Sequence, residues 1–194
     1  MKNINDFLLT DTVTVGHARK WISDKDDKAK KELSDLINHR FYNRYVKHAK
    51  PYQVSGFLRM AIACLMIETL ESFKQGVKNT KPRGVGLQMF TDFFASESSF
   101  FPGFNAIAGD FYSSIRCGIL HQAETTNGWR ILRVGPLLDL PARTINAKKF
   151  IDALEEVLNN YVANLQHEDF SSILWKNAVI KIADVCDNCQ PAGT

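Results

Sequence analysis

The chain has 194 residues, 45% apolar and 23% charged, a balance that suits one globular domain and excludes a disordered or collagen-like protein. Its 24 basic residues outnumber its 21 acidic ones by only three, so net charge alone does not announce a polyanionic partner and local clustering has to decide. Four cysteines, Cys64, Cys117, Cys186 and Cys189, are too few for a disulfide scaffold in a chain this long and are expected to stay reduced.

Residues 1 to 22 read as an N-terminal arm, with Thr12 to Val15 alternating as a short strand would. Met1 to Thr10 lacks the basic start, apolar run and small-residue site of a signal peptide. From Ser23, with Asp26 three residues on as a capping box, a helix is expected to run to Pro51. Leu33, Ile37, Phe41 and Tyr45 form its buried stripe, and Arg40, Arg44 and Lys47 lie on a neighbouring face.

Val54 to Gln75 is apolar on nearly every side and reads as a central helix. Arg59 and Glu68 interrupt its most apolar stretch, Phe57 to Leu70, which falls short of the roughly 20 residues a membrane span needs. No membrane partner is expected, and the expected location is cytoplasmic. A loop over Val77 to Gly86 precedes a short helix at Leu87 to Ser96, followed by a turn holding Pro102.

A fourth helix is expected over roughly Asn105 to Glu124, ending before the turn dipeptide Asn127-Gly128. Trp129 to Val134 alternates as a strand, and Gly135-Pro136 suggests a return through Leu137 to Leu140 as a β-hairpin. Asn146 and Asp169 are the expected caps of the last two helices, and 186–194 is expected to fray. The fold class read from this order is mainly all-α, a helical bundle with one small hairpin, in a single domain spanning residues 1–194.

The fourth helix carries the residues with chemistry. On a regular helix at about 100° per residue, with Arg116 at zero, Ser113 falls near roughly 60°, Glu124 near 80°, Cys117 near 100° and His121 near 140°. Arg and His thus flank a small polar face, about 7.5 Å apart along the axis. A planar, permanently charged guanidinium matches phosphate oxygens, and an imidazole moves protons near neutral pH. RNA cleavage through its own 2′-hydroxyl needs these two functions, a base for the attacking oxygen and a cation for the developing phosphorane charge.

The stretch Ile115-Arg116-Cys117-Gly118-Ile119-Leu120-His121-Gln122-Ala123-Glu124 resembles the motif of the HEPN superfamily, an Arg followed by four to six residues and a His late in a bundle helix. The resemblance implies an all-α, usually dimeric domain acting as a metal-independent endoribonuclease of a toxin-antitoxin, abortive-infection or related bacterial defence system. Arg116 and His121 would be the catalytic pair, no cofactor or metal would be required, and RNA, a second copy of the chain and a protein antitoxin or defence partner would be the partners. Two positions depart from the pattern. Cys117 follows the Arg where active members commonly carry Asn, Asp or His, and Ala123 stands where toxins paired with nucleotidyltransferase antitoxins carry Tyr.

Each of these residues also has a structural reading. Arg116 can be the partner of Glu68 or Glu124 in an ordinary ion pair, and Glu68 can either orient a site or satisfy a buried network. Ser113, Glu124, Tyr112 and Glu68 are the expected supports of the pair, with Tyr112 equally at home in the core. Arg40, Arg44 and Lys47 suit either an RNA backbone or a solvated helix face. Cys186 and Cys189 have zinc-site spacing without a second pair of ligands, and the Phe90 to Phe104 cluster is read as core before base-stacking surface. The alternative to an enzyme is a HEPN-like module that binds RNA or a protein without cleaving it. A divergence of about 140° also motivates an expected homodimer, in which the Arg of one chain meets the His of the other.

Overall fold

In the computed structural model residues 3–80, 82 and 84–189 are described, and among them seven helices and a three-stranded sheet make the protein mainly α-helical. The helices are α1 (Val15–Asp24), α2 (Asp27–Phe41), α3 (Gly56–Gln75), α4 (Val85–Ser96), α5 (residues 108–122), α6 (Ala147–His167) and α7 (Ile173–Asp187). No helix of the described residues is long and apolar enough to cross a membrane. The described residues form two compact units, one from Met1–Phe41, Ser72–Asn79 and Asn159–Thr194, the other from Tyr42–Glu71 and Thr80–Leu158.

In the first unit the expected arm is a helix. Thr14 accepts from the His17 amide while the His17 ring accepts from the Thr14 amide, so α1 starts at Val15 instead of continuing a strand. Only Thr14 keeps a strand-like partner, an isolated bridge to Leu8. Ser23 is therefore inside α1 and caps nothing. The chain turns at left-handed Lys25, and Asp26 receives the Ala29 amide at 2.7 Å to open α2.

Ser172 caps α7, taking the Trp175 amide, whereas Asp169 serves the preceding turn by accepting from the Ser171 amide. Trp175 is fully buried, donates its indole N–H to the Leu165 carbonyl at 2.7 Å and stacks on Phe170. Helix α7 continues to Asp187 with Cys186 buried, so the expected fraying does not begin at 186; residues 190–194 lie outside the described residues.

The second unit is built around phenylalanine. Phe90, Phe93, Phe94, Phe101, Phe104, Phe111 and Phe150 are all fully buried, each contributing roughly 1.5–3 kcal/mol by leaving water. Phe94 lies within ring-packing distance of all six others, so Phe94→Ala removes the common neighbour at a cost of about 3–5 kcal/mol. These rings are core, as the pattern suggested, and only Phe100 of the expected cluster is partly open.

The expected hairpin is replaced by a different topology. Strands β1 (Arg130–Leu132) and β2 (Leu138–Asp139) lie on either side of β3 (Thr144–Asn146), β1 parallel to it and β2 antiparallel. Burial explains the choice: all three residues of β3 are buried, so their backbone groups need partners on both edges. Asn146 ends β3 and starts α6. Its Oδ1 accepts the Lys148 and Lys149 amides, as expected of a cap, while Nδ2 donates to the Gly135 carbonyl at 2.9 Å.

Candidate active site

Helix α5 is not regular. An α-helical turn, Ala108–Asp110, passes into a π-helical stretch, Phe111–Arg116, and returns to α-helix over Cys117–Gln122. Such wide turns place side chains out of the phase an ideal helix would give them. The entry is fixed by Asp110, whose carboxylate accepts Ser114 Oγ at 2.7 Å and the Trp129 indole N–H at 2.9 Å; these bonds hold its pKa below the ordinary carboxylate value. The exit is a left-handed cap: the amide of Ala123, at positive φ, donates to the Ile119 carbonyl, and that of Glu124 to the Gly118 carbonyl.

Arg116 ends the π stretch. Its Nε donates to Glu68 Oε1 of α3 at 2.6 Å, with both side chains largely buried at 18% and 14% exposure. Its guanidinium carbon lies 5.4 Å from the centre of the Tyr112 ring, and its Nη1 lies 3.2 Å from His121 Nε2. An arginine only donates, so this last contact requires an unprotonated Nε2 on the imidazole. Burial alone would lower the Arg116 pKa, but the hydrogen bond and charge of Glu68 outweigh it and raise the value.

Arg116 and His121 therefore meet within one chain. The expected divergence on a straight helix took account of Cα positions, whereas the anchored guanidinium extends along the helix and closes the gap itself. The reason for seeking the His in a second chain falls away.

The other supports are sorted by the same geometry. Tyr112 and Glu68 touch Arg116. Exposed Ser113 donates to the Asp110 carbonyl, and exposed Glu124 lies beyond the end of α5, so neither joins the pair. The regular wheel brought them near Arg116; the π stretch and the early helix stop remove them.

Two neighbours were not picked out from sequence. Cys64, fully buried one turn before Glu68 on α3, feels the Arg116 charge, yet burial pushes its thiol far above the usual range. Gly86 of α4 leaves room for Tyr112: a Cβ there would stand 2.7 Å from the Tyr112 hydroxyl. The i, i+4 spacing of Cys64 and Glu68 was a usable signal for the first, while the second needed coordinates.

Arg40 donates to the Leu9 carbonyl at 2.9 Å and lines a small apolar cavity with Leu36, Ile37 and Phe73. Arg44 and Lys47 are exposed, on the π-helical stretch Tyr42–Val46 and the turn after it, and neither contacts the Arg116 pair. Burial raises the Cys186 thiol to about 11, and Cys189 Sγ donates to the Val185 carbonyl. Among the described residues no three His, Cys, Asp or Glu side chains are grouped so as to hold a metal ion.

No protein-family model, curated protein or solved structure matches the chain.

Proposed function

We propose that the protein is a metal-independent endoribonuclease of HEPN type, acting in bacterial defence or stress response, with Arg116 and His121 as its catalytic pair. The observation that carries the reading is the 3.2 Å approach of Arg116 Nη1 to His121 Nε2 on a guanidinium anchored by Glu68. A phosphodiester entering between the two draws Arg116 onto a non-bridging oxygen and frees the Nε2 lone pair. His121 then takes the proton of the ribose 2′-hydroxyl as its oxygen attacks phosphorus. Arg116 offsets the charge gathering on the phosphorane. The bond to the 5′-oxygen breaks, that oxygen takes a proton from water while His121 returns its proton to solvent, and the products are a 2′,3′-cyclic phosphate and a 5′-hydroxyl.

Glu68 and Tyr112 are positioning residues in this scheme. The reaction needs no second chain for its catalytic groups, although a homodimer would still place two such sites on one RNA. Purified protein is expected to cleave single-stranded RNA in EDTA and to leave cyclic phosphate ends, with activity lost in Arg116→Ala and His121→Ala. Cleavage that requires added divalent metal, or that survives both substitutions together, overturns the reading. RNA binding without cleavage would select the non-enzymatic alternative, which Cys117 beside the Arg favours.

A further inference from the structure

Arg59 is 3% exposed, the most deeply buried cation among the described residues of the second unit. Its Nε and Nη2 donate to the carbonyls of Ala49 and Pro51, each at 2.9 Å. Those carbonyls fix the guanidinium plane but carry no net charge, and among the described residues no carboxylate pairs with Arg59. A buried charge without a counter-ion is costly. Its Nη1 makes no hydrogen bond among the described residues, and Arg59 lines a pocket open to solvent.

That space is a cavity of about 180 Å³, lined by Ala49, Lys50, Arg59, Lys148, Ile151 and Asp152. That is far above the ~10–15 Å³ needed to hold one water, and more than a bare monatomic ion needs. Lys50 is committed to Glu155, which hydrogen-bonds it and raises its pKa. Lys148 and Asp152 are in no ion pair among the described residues, and the first amides of α6 are already taken by Asn146. Asp152 lies close enough to Lys50 for its charge to help raise the Lys50 pKa, so the lining and Glu155 together carry three cations, Lys50, Arg59 and Lys148, and two anions, Asp152 and Glu155. They balance with one further negative charge, and Asp152 accepts a hydrogen bond.

We propose that this cavity binds a small carboxylate monoanion that carries a hydroxyl, the carboxylate on Arg59 Nη1 and Lys148 and the hydroxyl donating to Asp152. A dianion would leave the pocket negative, and a carboxylate without a donor would face Asp152 with no hydrogen bond between them. The site is separate from the Arg116 pair and does not depend on ribonuclease activity.

Lactate titrated into the full chain, followed by calorimetry and by the Arg59 Nε–H resonance, is expected to bind saturably and shift that resonance. Propionate, which lacks the hydroxyl, is expected to bind roughly tenfold more weakly, the effect of one lost hydrogen bond to a charged group. Because Arg59 variants risk unfolding, the decisive substitutions are at the cavity rim. Lys148→Ala is expected to weaken both ligands, and Asp152→Ala to abolish the preference for lactate over propionate. Absence of saturable binding, tighter binding of inorganic phosphate than of lactate, or affinities unchanged in both variants would overturn the assignment.

Discussion

The Glu68 carboxylate holds Arg116 by its Nε, at 2.6 Å, and so leaves the far edge of the guanidinium to reach His121. Sharing by atom rather than by charge is possible because arginine presents five N–H donors in a fixed planar fork, where a lysine at 116 would offer a compact ammonium that holds no fixed plane between two partners. The apolar surroundings matter as well. Cys64 lies fully buried beside the pair, and the Tyr112 ring packs against the guanidinium, so the pair is screened less than a surface ion pair would be.

Replacing Glu68 by Gln is expected to keep the shape of the contact while removing its charge. The variant should lose about 2–4 kcal/mol of stability, because a largely buried guanidinium is left without its carboxylate. If Glu68 positions Arg116 for phosphate, RNA cleavage should fall mainly in kcat, with KM little changed, and Glu68→Asp should rescue it in part. Urea unfolding together with steady-state cleavage separates the two effects: lost stability with undiminished kcat would reduce Glu68 to a purely structural partner.

Acid should weaken the Trp129 corner of the second unit. The Asp110 carboxyl is held below its ordinary value first by the Ser114 hydrogen bond and then by that of Trp129. A depressed folded-state pKa stabilises the fold fully above the unfolded value, near ~3.9, and the contribution disappears as pH falls through the lower folded value. Wild-type protein is therefore expected to be more stable than Asp110→Asn at pH 7, with the difference narrowing below about pH 4. Chemical denaturation of the two proteins across that range measures it. A gap that stays constant or widens in acid would mean that Asp110 is not the group being titrated.

Much of this architecture was legible because burial leaves a periodic trace. The stripes of α2 and α6, the all-round apolar character of α3, the phenylalanine-rich core and the Asn146 cap were all readable from residue type and spacing. The sheet was not. Three-residue β3 has too few positions to show alternation, and its pairing with β1 in parallel depends on contacts across the chain that no local pattern encodes. At the candidate site the residue types were visible and the geometry was not. Ser113 and Glu124 seemed to face Arg116 only because a wheel assumes one period throughout: the π-helical stretch of α5 breaks that assumption for Ser113, and the helix stop at Ala123 removes Glu124.

The end of α5 offers a test of opposite signs within six residues. Gly118 passes so close to the following turn that a Cβ there would stand 2.4 Å from the Glu124 carbonyl oxygen, and that oxygen belongs to backbone that cannot swing aside. Gly118→Ala should therefore destabilise the protein by about 1–3 kcal/mol, as overpacking does, and loosen the turn that presents His121. Ala123 sits at φ 58°, a left-handed conformation that costs a side-chain-bearing residue about 1 kcal/mol and a glycine almost nothing. Ala123→Gly is accordingly expected to raise the urea midpoint while leaving Arg116 and His121 in place, so that RNA cleavage is preserved or improved. Midpoints measured for both variants against the parent give the answer directly. Equal destabilisation by the two substitutions, or none from Gly118→Ala, would show that the helix does not close on itself in solution in the way that brings His121 to Arg116.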